Sequence, residues 1–248
     1  MEIDVRKPAV AGTFYPEDEK ELRELLKKFF DNVSISNDRI PKAIIVPHAG
    51  YIYSGQVAAF AYKLIRDYEK VIFLGPSHTV YLDGVVSDTH RFWETPLGKV
   101  GVMKNNFEKN EEAHANEHCL EVQVPFLQFV LKKFEILPLV VGEADVKTVS
   151  EKVQKILDDN TLLVISSDLS HYHSYEMAEV LDDETIESIK NLDENGNVYA
   201  CGELPIRILI DIARKKKWKP EVLIYRNSGD VTGEKSRVVG YTSIAFYA

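Results

Sequence analysis

Three apolar runs in the chain have the pattern of strands buried on both faces, and a histidine follows each run within a few residues. These histidines are His48, His78 and His171, after the runs Ala43–Val46, Val71–Leu74 and Leu162–Ile165. Because parallel strands in an open α/β sheet place ligands at their carboxyl ends, we expect these side chains to meet in one crevice. Neutral imidazoles in such a crevice suit a divalent transition metal, so His48 and His78 are predicted metal ligands.

The third run adds a carboxylate, Asp168, three residues before His171. Asp168 is interpreted either as a metal ligand or as an acceptor that fixes the tautomer of a neighbouring histidine. The alternative is a turn residue, a common position for aspartate after a strand. His171 is the predicted general acid or base, because it is nearer the strand end than His173, which we expect at the surface.

Cys201 begins the helix predicted over Cys201–Lys217. A thiol in the first helical turn has a lowered pKa, which favours the thiolate that binds metal or attacks carbon. The alternative is a small, buried, apolar side chain.

His118 and Glu121 are three residues apart and would share a face near the start of the helix predicted over Glu117–Lys133. Glu121 could complete a site of two histidines and one carboxylate for iron, with His118 as a proton shuttle. Equally, Glu121 could cap the helix while His118 makes a partly buried polar contact.

Alternating strand and helix patterns predict one three-layer α/β domain over residues 1–248, with a mixed, mostly parallel sheet. His48 and His78 would follow adjacent strands of a β-α-β unit. The other predicted helices are Glu17–Asn32, Gly55–Asp67, Val146–Asp158 and Tyr175–Leu192, and Pro125 is expected to kink the helix over Glu117–Lys133.

The net charge of −9 argues against a nucleic-acid partner, since Arg214–Lys217 is the only basic run. No apolar segment approaches the ~20 residues of a membrane span, and the charged amino terminus does not resemble a signal peptide, so we expect a cytoplasmic protein. Fingerprints of nucleotide sites, zinc ribbons and nucleophile elbows are absent. Cys119 and Cys201 lie far apart in sequence, which favours free thiols or a metal ligand.

Taken together, several motifs of the chain resemble the Memo family over nearly the full length. They are Arg6–Tyr15, Pro47–Tyr51, Leu74–His78, Ser166–His171 and Cys201–Gly202. The resemblance implies a fold similar to class III extradiol dioxygenases, which use non-haem iron(II) to open aromatic diols. It also implies a metal pocket lined by His48, His78 and Cys201, with Asp168 and His171 beside them.

The resemblance departs from the dioxygenase pattern at one ligand, because the Memo pocket offers a cysteine where those enzymes use a carboxylate. Prokaryotic members of the family are associated with a radical-SAM protein and an AMMECR1-type protein, which are therefore expected partners.

The leading hypothesis is a metal-dependent oxidoreductase that acts on a small or peptide-borne substrate, with iron(II) as the first choice of metal and copper as the second. His171, Asp168 and His118 would serve the reaction, and Glu121 would support the ligands from behind. A rival hypothesis is a binding module without turnover that uses the same pocket for a peptide or phospho-ligand. A third is a metal-free hydrolase that uses Cys201 and His171.

Overall fold

The computed structural model describes residues 4–35 and 39–248, so residues 1–3 and 36–38 of the predicted domain lie outside the described residues. The strands are β1 (Val5–Arg6), β2 (Ala43–Val46), β3 (Lys70–Pro76), β4 (Val85–Ser87), β5 (Phe92–Thr95), β6 (Gly98–Val102), β7 (Glu108–Lys109), β8 (Glu135–Val141), β9 (Thr161–Ser166), β10 (His171–His173), β11 (Lys219–Asn227) and β12 (Val238–Tyr247). The helices are α1 (Glu19–Asp31), α2 (Tyr51–Tyr62), α3 (Glu111–Ala115), a 3-10 turn (Glu121–Gln123), α4 (Val124–Val130), α5 (Val146–Gln154), α6 (Tyr175–Lys190), α7 (Glu203–Lys216) and α8 (Ser228–Thr232).

The strands form a mixed sheet in the order β1-β5-β6-β8-β3-β9-β2-β12-β10, with β11 paired to the other edge of β12. Its centre, β8-β3-β9-β2, is parallel throughout. The apolar residues of these strands point alternately to two cores, one under α1, α2 and α4 and the other under α5, α6 and α7. The predicted single three-layer α/β domain with a mostly parallel sheet is confirmed.

The helices begin where side chains can accept hydrogen bonds from the free backbone N–H groups of the first turn. Asp18 caps α1, Asp145 caps α5 and Ser174 caps α6. Burial of one apolar face then fixes each helix against the sheet. In α1 that face is formed by Leu22, Leu26, Phe29 and Phe30.

The prediction that His48 and His78 follow adjacent strands is wrong, because β9 lies between β2 and β3 and pairs with both. The crossover through α2 therefore passes over one strand position. β9 occupies that position, and Asp168 follows its carboxyl end. Sequence order gives no information on such an insertion, since the strand that fills the gap comes about a hundred residues later.

The helix predicted over Glu117–Lys133 is also wrong at both ends, and α4 stops at Val130. Residues 117–120 form a turn, and the helical segment begins at Glu121. Pro125 lies in the first turn of α4, where its missing N–H costs nothing, so it starts the helix and does not kink it. The predicted α2 and α7 also shift, since α2 begins four residues before Gly55 and α7 begins after Cys201. The sequence prediction missed β1, β5, β7, β10 and the short helices α3 and α8.

No helix in residues 4–35 and 39–248 is both long and apolar enough to cross a membrane.

Candidate metal centre

The ends of β2 and β3 and the turn before α7 bring His48, His78 and Cys201 together. One ligand atom from each lies within 4.8 Å of the other two. The close approach depends on two glycines. A Cβ on Gly202 would lie 2.6 Å from the Ser167 side chain, and one on Gly75 would lie 2.6 Å from Leu120. Only glycine allows the cysteine turn and the 117–120 turn to pack this closely on the strand ends.

His48 is almost fully buried, and its tautomer follows from its neighbours. The hydroxyl of Ser166 donates to the carbonyl of Cys119 at 2.6 Å, so its oxygen accepts from His48 Nδ1 at 3.1 Å. The proton is then on Nδ1, and the lone pair on Nε2 lies 3.2 Å from the sulfur of Cys201. Burial, followed by the nearby His78, holds the pKa of His48 well below its usual value, so the ring is neutral.

His78 is oriented by a carboxylate that sequence reasoning missed, Glu117. The Glu117 carboxylate accepts from the His78 backbone N–H at 2.6 Å and from Nδ1 at 2.9 Å. It also accepts from the backbone N–H of Cys119 at 3.0 Å. Although burial opposes ionisation, these contacts lower the pKa of Glu117 to about 2. Glu117 is therefore charged at neutral pH and leaves Nε2 of His78 free to bind a metal.

His118 completes a group of three imidazoles. Its ring centroid lies 4.9 Å from that of His78 and 5.4 Å from that of His48, and Phe14 covers it at 4.7 Å. Burial lowers the pKa of His118, so this ring is also biased toward the neutral form. His78, Glu117 and His118 form a second group of possible ligands beside the first. His118 therefore lies in the pocket itself, in a turn and not on a helix.

Cys201 lies two residues before α7, outside the first helical turn predicted for it. The prediction of a lowered thiol pKa is wrong in the metal-free protein. Burial, followed by the nearby carboxyl of Asp168, raises the pKa of Cys201 to about 12. The thiol lies within reach of the Asp168 carbonyl at 3.6 Å as well as His48. A bound cation would be needed to stabilise the thiolate here.

Asp168 supports the centre through the backbone. Its Oδ1 accepts from the backbone N–H of His48 at 2.8 Å and of Ala49 at 3.3 Å, which fixes the loop after β2. These bonds go to backbone N–H groups and not to an imidazole, and the roles of metal ligand and of ring partner stay predictions. Burial raises the pKa of Asp168.

His171 is half-buried at the edge of the same pocket. Its Nδ1 donates to the carbonyl of Leu169 at 2.8 Å, which leaves the lone pair on Nε2, as a general base requires. The imidazole bonded to the Cys201 thiol is that of His48, so the geometry does not pair Cys201 with His171 as the hydrolase hypothesis needs. His173 is exposed, as predicted.

The hydrogen bonds of Glu121 go to the amino-terminal segment of the chain, and its support of the metal ligands stays a prediction. Its carboxylate binds Arg6 at 2.7 Å, the N–H groups of Ala9 and Val10 at 2.7 and 3.0 Å, and the Tyr15 hydroxyl at 2.7 Å. Glu121 therefore anchors the amino-terminal segment that carries Phe14 to the pocket. Glu117, four residues earlier, orients a histidine ligand through its bonds to His78. The predicted helix did not indicate this role for Glu117. In the structure a turn at residues 117–120, not a helix, directs the Glu117 carboxylate toward His78.

A cavity of about 560 Å³ opens over this cluster. Six of the seven residues selected from the sequence line it: His48, His78, His118, Asp168, His171 and Cys201. Four aromatic side chains complete the wall, namely Phe14, Tyr53, Tyr172 and Tyr241. The sequence carried no periodic signal for the three tyrosines, which come from distant elements.

The donor set of the site fits a transition metal. Two imidazoles and one cysteine suit zinc, copper or iron, whereas magnesium and calcium require oxygen ligands. Both imidazole ligands have their second nitrogen bound by an oxygen, as metal-binding histidines commonly do.

The two thiols should differ sharply in reactivity. Cys201 is partly exposed, whereas Cys119 is fully buried against Gly75. In metal-free protein we expect iodoacetamide to modify Cys201 alone, at a rate that rises with pH beyond pH 9 because only the thiolate reacts. Peptide mass mapping at several pH values measures this. Modification of Cys119 in the folded protein, or a rate at Cys201 that levels off below pH 8, would contradict the described site.

Comparison with known proteins identifies relatives over nearly the full length of the chain. A family model described as "Memo-like protein" matches residues 6–245. A "MEMO1 family protein" of Aquifex aeolicus is 39% identical, with 98% of this chain and 99% of the relative covered. Proteins described in the same words from Methanosarcina mazei and Methanopyrus kandleri are 36% and 37% identical, with at least 97% of this chain and 98% of each relative covered.

Proposed function

The chain belongs to the Memo-like family, and from this membership and the pocket geometry we propose that it binds a catalytic transition metal and acts as an oxidoreductase. The observation that carries the proposal is the convergence of His48, His78 and Cys201 within 4.8 Å. Such a set leaves coordination positions open for a substrate, as catalytic metal sites do.

Iron(II) is the proposed metal, with copper as the alternative, and the metal would supply Lewis-acid and redox chemistry when bound. His48 and His78 would bind it through Nε2, since Ser166 and Glu117 occupy their Nδ1 atoms. Cys201 would bind it as the thiolate and release its proton on binding.

The remaining residues have roles that follow from their contacts. His171 would move a proton through Nε2 at the pocket edge, and His118 would do so beside His78. Asp168 would keep His48 in place through the backbone of its loop. The aromatic wall that includes Phe14 and Tyr241 would limit the access of water to the reacting atoms.

The proposed substrate is a small molecule or a side chain borne on a peptide, because the cavity of about 560 Å³ is the size of a small-ligand pocket. A radical-SAM protein and an AMMECR1-type protein remain proposed partners.

A second candidate, a binding module without turnover, is favoured by the pocket mouth. Tyr172 lines the cavity and is 64% exposed, and the guanidinium of Arg237 lies 5.1 Å from its ring centroid. An exposed aromatic ring beside a cation suits a peptide or a phosphorylated ligand. Oxygen consumption separates the two candidates. The protein is prepared without oxygen, oxygen is then added, and only the oxidoreductase is expected to consume it in a metal-dependent reaction.

We expect protein purified without oxygen to hold iron or copper near one equivalent, as measured by elemental analysis. The double variant His48→Ala/His78→Ala should lose it because two of three ligands are removed. The matched control His90→Ala/His173→Ala, in histidines outside the cavity, should retain it. Less than about one tenth of an equivalent in wild-type protein, or equal content in all three proteins, would overturn metal binding.

A further inference from the structure

A second cavity, of about 450 Å³, lies between the end of β6 and the carboxyl end of α5. It shares no lining residue with the histidine cavity. Its wall has a cationic part, formed by Lys104, Lys152 and Lys155, and an apolar part that includes Phe107, Leu137 and Ile156.

Three lysines give this cavity its positive charge. Within residues 4–35 and 39–248, none of their ammonium groups forms an ion pair, although many other surface cations do. All three side chains are exposed, and together they make this cavity cationic in a chain with a net charge of −9. The helix dipole favours Lys152 and Lys155 at the end of α5, but it does not account for Lys104, which comes from a separate loop.

The loop that carries Lys104 is held in place by Asn105. The Asn105 amide donates to the Ser87 hydroxyl and to the Met103 carbonyl, both at 3.1 Å, and its oxygen accepts from the Phe107 N–H at 3.0 Å. Met103 is in turn bonded through its backbone N–H to the carbonyl of Ile136 in β8 at 2.8 Å. The backbone that carries Lys104 and Phe107 is therefore fixed to the sheet, which limits the ordering that a ligand would require of this loop.

We propose that this cavity binds a phosphorylated small molecule with a planar apolar group, of the nucleoside phosphate class. Ammonium groups from two elements bind phosphate oxygens, and the planar group lies against Phe107 and Ile156. Lysine side chains replace the glycine-rich loop that the sequence lacks, so sequence fingerprints do not detect such a site. The proposal does not depend on the metal centre, because the two cavities are separate.

Isothermal titration calorimetry of the full chain tests the proposal with three probes: ADP, pyrophosphate and adenosine, without added metal. We expect ADP to bind with a Kd below about 100 µM, pyrophosphate more weakly and adenosine more weakly still, with affinity falling as salt rises. The variant Lys152→Gln/Lys155→Gln should lose at least about tenfold in ADP affinity, because it removes two charge-assisted contacts.

The matched control is Lys132→Gln/Lys133→Gln, which removes the same charge from an exposed loop outside the cavity. It should bind ADP like the wild-type protein, and circular dichroism should show both variants folded. Absence of ADP binding to wild-type protein would overturn the proposal, as would equal losses in the two variants. Adenosine binding as tightly as ADP would overturn the role of the lysines, and pyrophosphate binding as tightly as ADP would overturn that of the apolar wall. Metal content is measured on the same samples, so a failure here is distinguishable from a failure of the metal proposal.

Discussion

Replacing Glu121 with glutamine should lower the free energy of unfolding by about 3–5 kcal/mol, because it leaves the buried Arg6 guanidinium without its counter-ion. Arg6 and Glu121 are only 3% and 1% exposed, so water cannot replace the lost carboxylate. The backbone N–H groups of Ala9 and Val10 and the Tyr15 hydroxyl all donate to the Glu121 carboxylate. A glutamine would place its own N–H₂ donor against some of these donors, so hydrogen bonds would be lost. Urea denaturation measures the change.

The control is the exposed neighbour of this pair, Lys7 with Glu94. Glu94→Gln should cost less than about 1 kcal/mol, because water screens exposed ion pairs. Glu121→Gln should also loosen the segment that holds Phe14 against His118, so hydrogen exchange at residues 9–15 should increase. A loss below about 1 kcal/mol for Glu121→Gln would contradict a buried ion pair.

Replacing Glu117 with glutamine should weaken metal binding by about 10–100-fold, because Glu117 orients His78 and raises the basicity of its Nε2. The substitution keeps the size of the side chain but removes the charge that accepts from Nδ1 at 2.9 Å. Metal affinity is measured by competition with a chromophoric chelator under anaerobic conditions.

Asp88→Asn provides a matched control. Asp88 is also fully buried and accepts from a histidine, His90, with 2.9 Å between Oδ1 and Nδ1, but it does not line the cavity. Both variants should be less stable than the wild-type protein, and only Glu117→Gln should lose metal affinity. If both variants bind metal as the wild-type protein does, Glu117 does not support the centre.

Strand-end motifs such as that of His48 could be predicted because they depend on local chemistry. A run of four to six buried apolar residues specifies a strand, and a proline or small residue after it ends the strand. Parallel strands bring such ends to one edge, and six of the seven selected side chains do line one cavity. The family resemblance placed Cys201 among the ligands, whereas its position at a predicted helix start left open a metal ligand, a nucleophile or a small buried side chain.

The choice between Glu117 and Glu121 could not be made from the sequence. The two are four residues apart, and a helix would place both on one face. Instead the chain turns at residues 117–120, since Gly75 allows Leu120 and Cys119 to pack against β3. That packing directs Glu117 to His78. Glu121 instead forms an ion pair with Arg6, which lies 115 residues earlier in the sequence. Contacts between distant segments leave no periodic pattern.

The sequence by itself determined the fold class and the kinds of atoms available to a metal, because strand patterns and ligand chemistry are local properties. Only the tertiary structure decided which atoms face the cavity, through the insertion of β9 between β2 and β3 and the hydrogen bonds that fix each imidazole. It also reversed the expected pKa shift of Cys201, since desolvation depends on what packs around a thiol and not on its place in the chain.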